Sequence, residues 1–386
     1  MTAGGPPRSP GAPLRIGVVT TSYPRRSGDP AGGFVGEHVR ALRALGHEVD
    51  VIAAGDPAAG GAAAPDLADP AIIRVPGALF YRGGAPDRLE RAPLGAALPA
   101  AAFTLRLAAA AAARARARAW DAIVAHWLVP SALVALPLPL RPPLVAIAHG
   151  GDVHTLRRLG LLAPALRALR RRRARLVFVS EHLRGVARAA APALAPWLAD
   201  ALVQPMGLDL ARFAALGRAP AAPPTILVAA RLVPIKGVDV ALAALAHLRT
   251  PARLVIAGDG PERAALAARA PAGAALLGEV DTRRRDQLLR EASVVVVPSR
   301  VTAGGRTEGT PAIALEALAA GVPVVASAVG GLCELPAARL VPPDDPPALA
   351  GAIDRVLADP PAPDELRRSV ANLDWRVVAE RLLRRK

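Results

Sequence analysis

An α/β architecture in two units is what this sequence predicts, on three observations. The length, 386 residues, exceeds what one hydrophobic core usually supports. Residues 14–20, LRIGVVT, form an apolar run. A turn-rich loop ending in Gly32 and Gly33 follows, then a segment of helical spacing at 34–45 that Gly46 stops, then a second apolar run at 49–53. That is the strand, glycine loop, helix, strand order of a Rossmann-like sheet. The second half carries continuous apolar runs at 225–230, 254–257, 294–297 and 322–327, the pattern of parallel strands covered on both faces.

Taken in order, residues 1–13 are rich in Gly and Pro and lack an apolar signal core, so they read as a flexible arm. Residues 55–70 are a loop of Gly, Ala, Pro and Asp without periodicity. The Ala-rich run 96–113 carries Pro99 and Arg106, and prolines break 128–148, so neither is expected to span a bilayer. Strands are expected at 121–125 and 144–148. The second leads directly into His149, two glycines and Asp152, which places both side chains at a strand's C-terminal edge, where open α/β sheets bind ligands. His149, Asp152 and His154 are metal ligands by residue type, but nothing nearby in the sequence completes a site. The segment 156–175 holds the dense run ALRRRRARL before a strand at 176–180. It is either a solvated helix face or a contact for phospholipid or a phosphorylated lipid acceptor.

A Pro/Ala-rich stretch at 217–224 separates the halves. Beyond the strand at 225–230 comes Arg-Leu-Val-Pro-Ile-Lys-Gly, in which Arg231 and Lys236 flank a short turn, a pairing suited to clamping a diphosphate. Gly258-Asp259-Gly260-Pro261 opens like a dinucleotide fingerprint but has Arg263 where the third glycine belongs. Helices are expected at 286–292, 348–357 and 372–385.

The chemistry concentrates in residues 293–327. After the strand 294–297 comes a loop, then Thr310 where an N-cap belongs and Pro311 at the first helical position. From Pro311 to Ala320 every residue except Glu316 is apolar, so the helix should be buried. A buried carboxylate is costly without donors, so Glu316 needs either a protein partner or a ligand's hydroxyl pair. Glu308 lies in the loop just before the helix. Two carboxylates separated by about 8 Å of axial rise can grip different parts of one long ligand whose phosphates meet the helix start at Gly309 and Thr310. The plainer alternative makes Glu308 a solvated loop residue and Glu316 a salt-bridged core residue. Gly330 and Gly331, after the strand 322–327, offer backbone amides to phosphate or sugar oxygens. Cys333 is the single cysteine, expected as a small apolar filler.

Glu308 and Glu316 within EGTPAIALEALAAGVPVVAS resemble the paired-glutamate motif of glycosyltransferase family 4. The segment GGFVGEHVRALRALGHEVDV, the HGGD at His149, VQPMGLDLARF and RLVPIKG are similar to further motifs of that family, in the same order. The resemblance implies a GT-B fold, two Rossmann-like domains facing each other across a cleft. An acceptor-side domain at 1–213, a linker at 214–224, a nucleotide-sugar domain at 225–365 and a returning C-terminal helix within 366–386 are expected. It further implies a retaining glycosyltransferase with a nucleotide-diphosphate sugar as donor and no metal or other cofactor. Arg231 and Lys236 would neutralise the diphosphate, Glu316 take the ribose hydroxyls, and Glu308 and His149 the sugar. Gly32, Gly33, Asp152, Gly309, Thr310, Gly330 and Gly331 would complete the binding surface. Arg306 stands where similar exopolysaccharide enzymes often have an acidic residue, which implies a different donor sugar. Another GT-B sugar-nucleotide enzyme, epimerase-like, and a non-catalytic basic binding protein are the rival readings.

The net charge of +16 does not by itself make a nucleic-acid surface. Lysine occurs only at Lys236 and Lys386 and aromatic residues are 3%, whereas nucleic-acid platforms need stacking rings beside the cations. Nucleic acid is therefore an unlikely partner. A carbohydrate or lipid-linked acceptor and an anionic membrane surface stay open. One cysteine permits no internal disulfide and is compatible with the cytoplasm, or the inner face of the plasma membrane.

Overall fold

The structure is a computed structural model, described for residues 12–384 apart from 57, 59–68, 82–84, 92 and 140–141. The expected arm at 1–13 and loop at 55–70 lie almost wholly outside the described residues.

Two all-parallel sheets organise the chain. The first has seven strands: β1 (Arg15–Val19), β2 (Glu48–Gly55), β3 (Ile72–Pro76), β4 (Ala122–His126), β5 (Leu144–Ala148), β6 (Arg175–Phe178) and β7 (Leu202–Val203), in the order β3-β2-β1-β4-β5-β6-β7. The second has β8 (Thr225–Ala229), β9 (Arg253–Ala257), β10 (Ala274–Gly278), β11 (Val294–Val297), β12 (Val324–Ser327) and β13 (Arg339–Val341), in the order β10-β9-β8-β11-β12-β13. Strands β4, β5, β11 and β12 are buried along their whole length, as continuous Val, Ile and Ala runs require when helices cover both faces. In each sheet the winding direction reverses once, between β1 and β4 and between β8 and β11. Such reversals open a crevice at the strands' C-terminal ends.

β3, β7 and β13 have no counterpart among the expected strands, because they are short and only partly buried, so their sequences carry no long apolar run. The helix expected at 311–320 runs from Ala312 to Ala319 with Pro311 as its cap residue, at φ −62° and ψ 124°. Thr310 does not cap it. Its hydroxyl donates instead to the carbonyl of Val179, 2.9 Å away in the other half of the chain. The Ala-rich run forms one long helix, Pro93–Arg118, that Pro99 does not break. Its Gly95–Arg118 portion is apolar enough to cross a membrane by length and composition alone. One side of it buries Phe103, Leu107, Ala111 and Ala115 in the first core, and Arg114 pairs with Asp50 of β2 at 2.6 Å. Cys333 is exposed rather than a filler, because the turn Gly330–Glu334 presents it outward.

The last helix, Trp375–Leu383, returns to the first core, where Trp375, Val378, Ala379 and Leu382 pack. Trp375 lies so close to Gly207 that a Cβ there would stand 2.4 Å from the indole. The Trp375 Nε1 donates to Glu37 at 3.0 Å. Arg212 adds a second tie, meeting Glu37 at 3.1 Å and Asp286 of the second half at 2.5 Å.

Candidate functional site

Loops from both sheets meet at their C-terminal edges. The loop after β8 is shaped by its glycines: Gly237, at φ +60°, ends the turn Pro234–Lys236, and a Cβ on it would stand 2.0 Å from the carbonyl oxygen of Pro298. The glycine turn after β9 packs against the same loop, Gly258 over Ala230 and Gly260 over Leu232, where a Cβ would lie 1.8 and 2.3 Å from the carbonyl oxygens. The GDGP segment is thus a wedge that sets the height of the Arg231–Lys236 loop. Lys236 Nζ stands 2.8 Å from Glu308 Oε1, which joins two sequence motifs at the switch point of the second sheet. Arg231 reaches across to Asp87 at 2.5 Å, and Arg306 holds the other oxygen of the same carboxylate at 2.5 Å. Asp87 sits on the short helix Ala85–Arg91 of the first half.

Glu316 is buried, as its helix predicts, and its protein partner is Arg285, whose Nη1 donates to Oε1 at 3.0 Å. Burial pushes its carboxyl above the usual range, Arg285 pulls it back and Glu37 adds to the rise. The salt-bridged alternative is therefore realised for Glu316. Glu308 is mostly buried and paired, not a solvated loop residue.

On the opposite wall, His149 follows β5, half-buried between Phe34 and Trp127, with ring centroids 5.1 and 4.8 Å away. Asp152 is buried, and its carboxylate accepts from the backbone N–H of Leu128 (2.6 Å), His149 (3.1 Å) and Gly150 (2.9 Å). It ties the loop after β4 to the loop after β5. His149 Nε2 lies 3.1 Å from His126 Nδ1, and His126 Nε2 lies 3.0 Å from His38 Nδ1. Burial lowers His38 and His149 to about 3 and holds His126 well below the ordinary value, so the three rings are neutral near pH 7. His154, also buried and lowered to about 4 mainly by burial, faces His182 with ring centroids 6.5 Å apart.

The glycines divide in what they do. Gly32, at φ +69°, lets the loop close on Ser22 and Tyr23, where a Cβ would lie 2.6 Å from the Tyr23 nitrogen, whereas around Gly33 there is open space. Gly309 abuts the His149 carbonyl, and Gly330 and Gly331 abut the backbone of Glu308 and Gly309. The Gly331 amide donates to the Glu308 carbonyl at 3.1 Å, so it is committed to the loop. The two halves are further stitched by Glu334. Its carboxylate accepts from the backbone N–H of Glu181 (2.7 Å) and His182 (2.6 Å) at the start of the helix Glu181–Ala190. Among the described residues no group of three or more His, Cys, Asp or Glu side chains is arranged to hold a metal ion.

Sequence reasoning missed Asp87, Arg285, His38 and His126. Asp87 belongs to no motif. The position of His126 was readable, since it ends β4 beside the strand that delivers His149.

Two Rossmann-like domains facing each other across a cleft define the GT-B class, and here cations from the second domain and carboxylates from both stand at the cleft. The fold agrees with solved structures: sucrose-phosphate synthase from Thermosynechococcus elongatus (TM-score 0.69, 22% identity, 96% of this chain and 97% of that one), and HepE from Anabaena in complex with UDP-glucose (TM-score 0.66, 18% identity, 96% and 98%). Residues 31–212 match the family described as Glycosyltransferase Family 4 and residues 223–359 the one described as Glycosyl transferases group 1. The chain belongs to these group 1, family-4-like glycosyltransferases. Among curated relatives, a Mycobacterium tuberculosis glycogen synthase is 31% identical over 283 residues, 67% of this chain and 66% of that protein. A putative colanic acid biosynthesis glycosyltransferase of Escherichia coli is 30% identical over 60% of each chain, and a phosphatidyl-myo-inositol mannosyltransferase of Mycolicibacterium smegmatis 34% identical over 48% of this chain and 51% of that one.

Proposed function

We propose that this protein moves a sugar from a nucleotide-diphosphate donor to a hydroxyl acceptor with retention at the anomeric carbon, in the synthesis of a polysaccharide or glycolipid. The observation that carries the reading is the Lys236–Glu308 pair at 2.8 Å, which joins a diphosphate-type cation to a sugar-type carboxylate at a sheet's switch point. In this reading the bond from the anomeric carbon to the diphosphate oxygen breaks first, and the new bond to the acceptor oxygen forms on the same face. The acceptor's proton passes to the departing phosphate. Arg231 and Lys236 oppose the charge that grows on the diphosphate, and losing one such group typically costs about 10²–10³ in turnover. Both are paired with carboxylates in this structure, so a diphosphate would take over cations already oriented.

Glu308 would accept from the sugar hydroxyls and His149 would hold the sugar from the opposite wall. Glu316 has one oxygen occupied by Arg285, and a carboxylate with about four lone-pair sites keeps capacity for ribose hydroxyls. Gly33, Gly309 and Thr310 border the space between these groups, with Gly32, Gly330 and Gly331 shaping its walls. No metal has a role in this scheme. The division at 213 and 225 assigns the donor to the second domain and the acceptor to the first. A cytoplasmic location, with contact to an anionic inner membrane face through the exposed arginines of the helix Leu162–Arg171, follows from the same reading.

The test is a thermal-shift screen against UDP-, GDP- and ADP-sugars, since a ligand bound only by the native state raises the midpoint, followed by nucleotide diphosphate release with and without acceptor. Raised midpoints and acceptor-dependent release are expected. Release independent of any acceptor would favour an epimerase-like enzyme, and no shift with any sugar nucleotide would sink the reading.

A further inference from the structure

Beside the cleft, within the first domain, lies a cavity of about 680 Å³. It is open to solvent on one side, and its volume has room for roughly twenty water-sized groups. Its walls are the helices Pro93–Arg118, Gly151–Arg158 and Leu162–Arg171, through Ala97, Ala100, Leu156, Pro164 and Ala168, with Leu133 from the turn after β4. It shares Trp127 and Asp152 with the candidate site.

Thr21, Ser22 and Trp127 line one part of the wall, while the polar side chains contributed by the helices are occupied. Asp152 accepts from three backbone amides. Thr104 donates to the Ala100 carbonyl at 2.7 Å, Thr155 to Gly151 at 2.6 Å and Arg158 to Leu89 at 2.9 Å. A sugar buried among these helices would leave most of its hydroxyls without partners. A hydrocarbon would lose nothing. The mouth has the same character: Leu159 and Leu161 line the cavity yet are about half exposed, and Leu98 is 78% and Leu105 72% exposed beside the lining residues Ala97 and Thr104. Arg167 and Arg171 follow the lining residues Pro164 and Ala168 by three positions, on adjoining helix surface, and are exposed.

We propose that the cavity receives the hydrocarbon chain of the acceptor, which makes the acceptor a lipid-linked amphiphile whose anionic head meets the arginine rim. This rests on the transferase reading above for the word acceptor, and on the cavity alone for the hydrocarbon.

The experiment measures calorimetric binding of n-alkyl phosphates of increasing length, each below its micellar concentration, to the full chain. UDP is titrated in parallel. Affinity should rise about fourfold per added methylene until the cavity is filled. Alkyl phosphates should bind more tightly than alkyl glucosides of equal length. Ala97→Phe and Ala168→Phe, at exposed and half-buried positions that tolerate a larger side chain, should each weaken the longest phosphate at least tenfold with UDP binding unchanged. Affinity flat in chain length, or indifferent to both variants, overturns the proposal, and glucosides binding as tightly as phosphates overturn its anionic head. Loss of chain-length dependence with UDP bound normally is failure of this proposal. Absence of UDP binding with chain-length dependence intact is failure of the transferase reading instead.

Discussion

His126 Nδ1 lies 3.1 Å from His149 Nε2, and the far side of the same ring meets His38 Nδ1 at 3.0 Å. A neutral imidazole has one donor and one acceptor, so three neutral rings in a row must all point their protons the same way. At the far end His38 Nε2 is buried with no partner among the described residues. An unpartnered lone pair is better tolerated there than an orphaned N–H. His38 therefore donates to His126, His126 donates to His149, and the proton of His149 sits on Nδ1. Nitrogen-15 NMR of the native protein should report the Nδ1–H form for His149, and the Nε2–H form there would reverse the chain's polarity.

The same chain predicts how stability depends on pH. His38 has an ordinary value of 6.5 and is lowered by burial to about 3, so the unfolded state binds its proton first. Its contribution is complete above pH 6.5 and erodes as pH falls toward 3, by about 2 kcal/mol at pH 5. The urea midpoint should drop between pH 7 and pH 5, and a His38→Asn variant should drop less. A parent midpoint flat over that range contradicts burial of neutral rings.

Lys236 and Glu308 form one unit, so their effects should not add. Lys236→Ala is expected to lower kcat/KM by about 10²–10³, Glu308→Gln to lower it as well, and the double variant to lose less than the product of the two. Steady-state kinetics with the best donor from the screen would show it. Strictly multiplicative losses would mean the two side chains act independently.

Asp87 holds Arg231 and Arg306 with its two oxygens and so competes with any phosphate for Arg231. Asp87→Asn should leave that cation less neutralised and tighten binding of a nucleoside diphosphate severalfold. Calorimetry decides. Weaker binding in the variant would show that the carboxylate presents Arg231 to the ligand rather than withholding it.

Gly237 and Gly46 both have positive φ, +60° and +86°, but their surroundings differ. A Cβ on Gly237 would lie 2.0 Å from the Pro298 carbonyl oxygen, whereas nothing lies within 4 Å of one on Gly46. Gly46→Ala should cost about 1 kcal/mol of backbone strain alone. Gly237→Ala should cost more than about 3 kcal/mol and displace the Lys236 loop. Chemical denaturation compares them, and equal losses would remove the close approach from the account of this loop.

The sequence by itself determined the two parallel sheets and the segments that carry the cations and carboxylates. Runs such as Val294–Val297 and Leu144–Ala148 are apolar without alternation, and only strands covered on both faces bury such runs whole. The motifs sit at strand ends for the same local reason, since glycine and proline there stop one element and start the next. Partners were decided by the tertiary structure. Nothing in the neighbourhood of Asp87 announces that it will meet Arg231 and Arg306, 144 and 219 residues away. Thr310 looked like a helix cap until the fold offered its hydroxyl the Val179 carbonyl. The cavity is likewise invisible in sequence, because Ala97, Leu133 and Ala168 look like ordinary core residues until three helices leave space between them. Local sequence fixes backbone conformation through short-range sterics and hydrogen bonding, but a charge finds its counterpart, and a cavity its walls, only once elements distant along the chain are packed together.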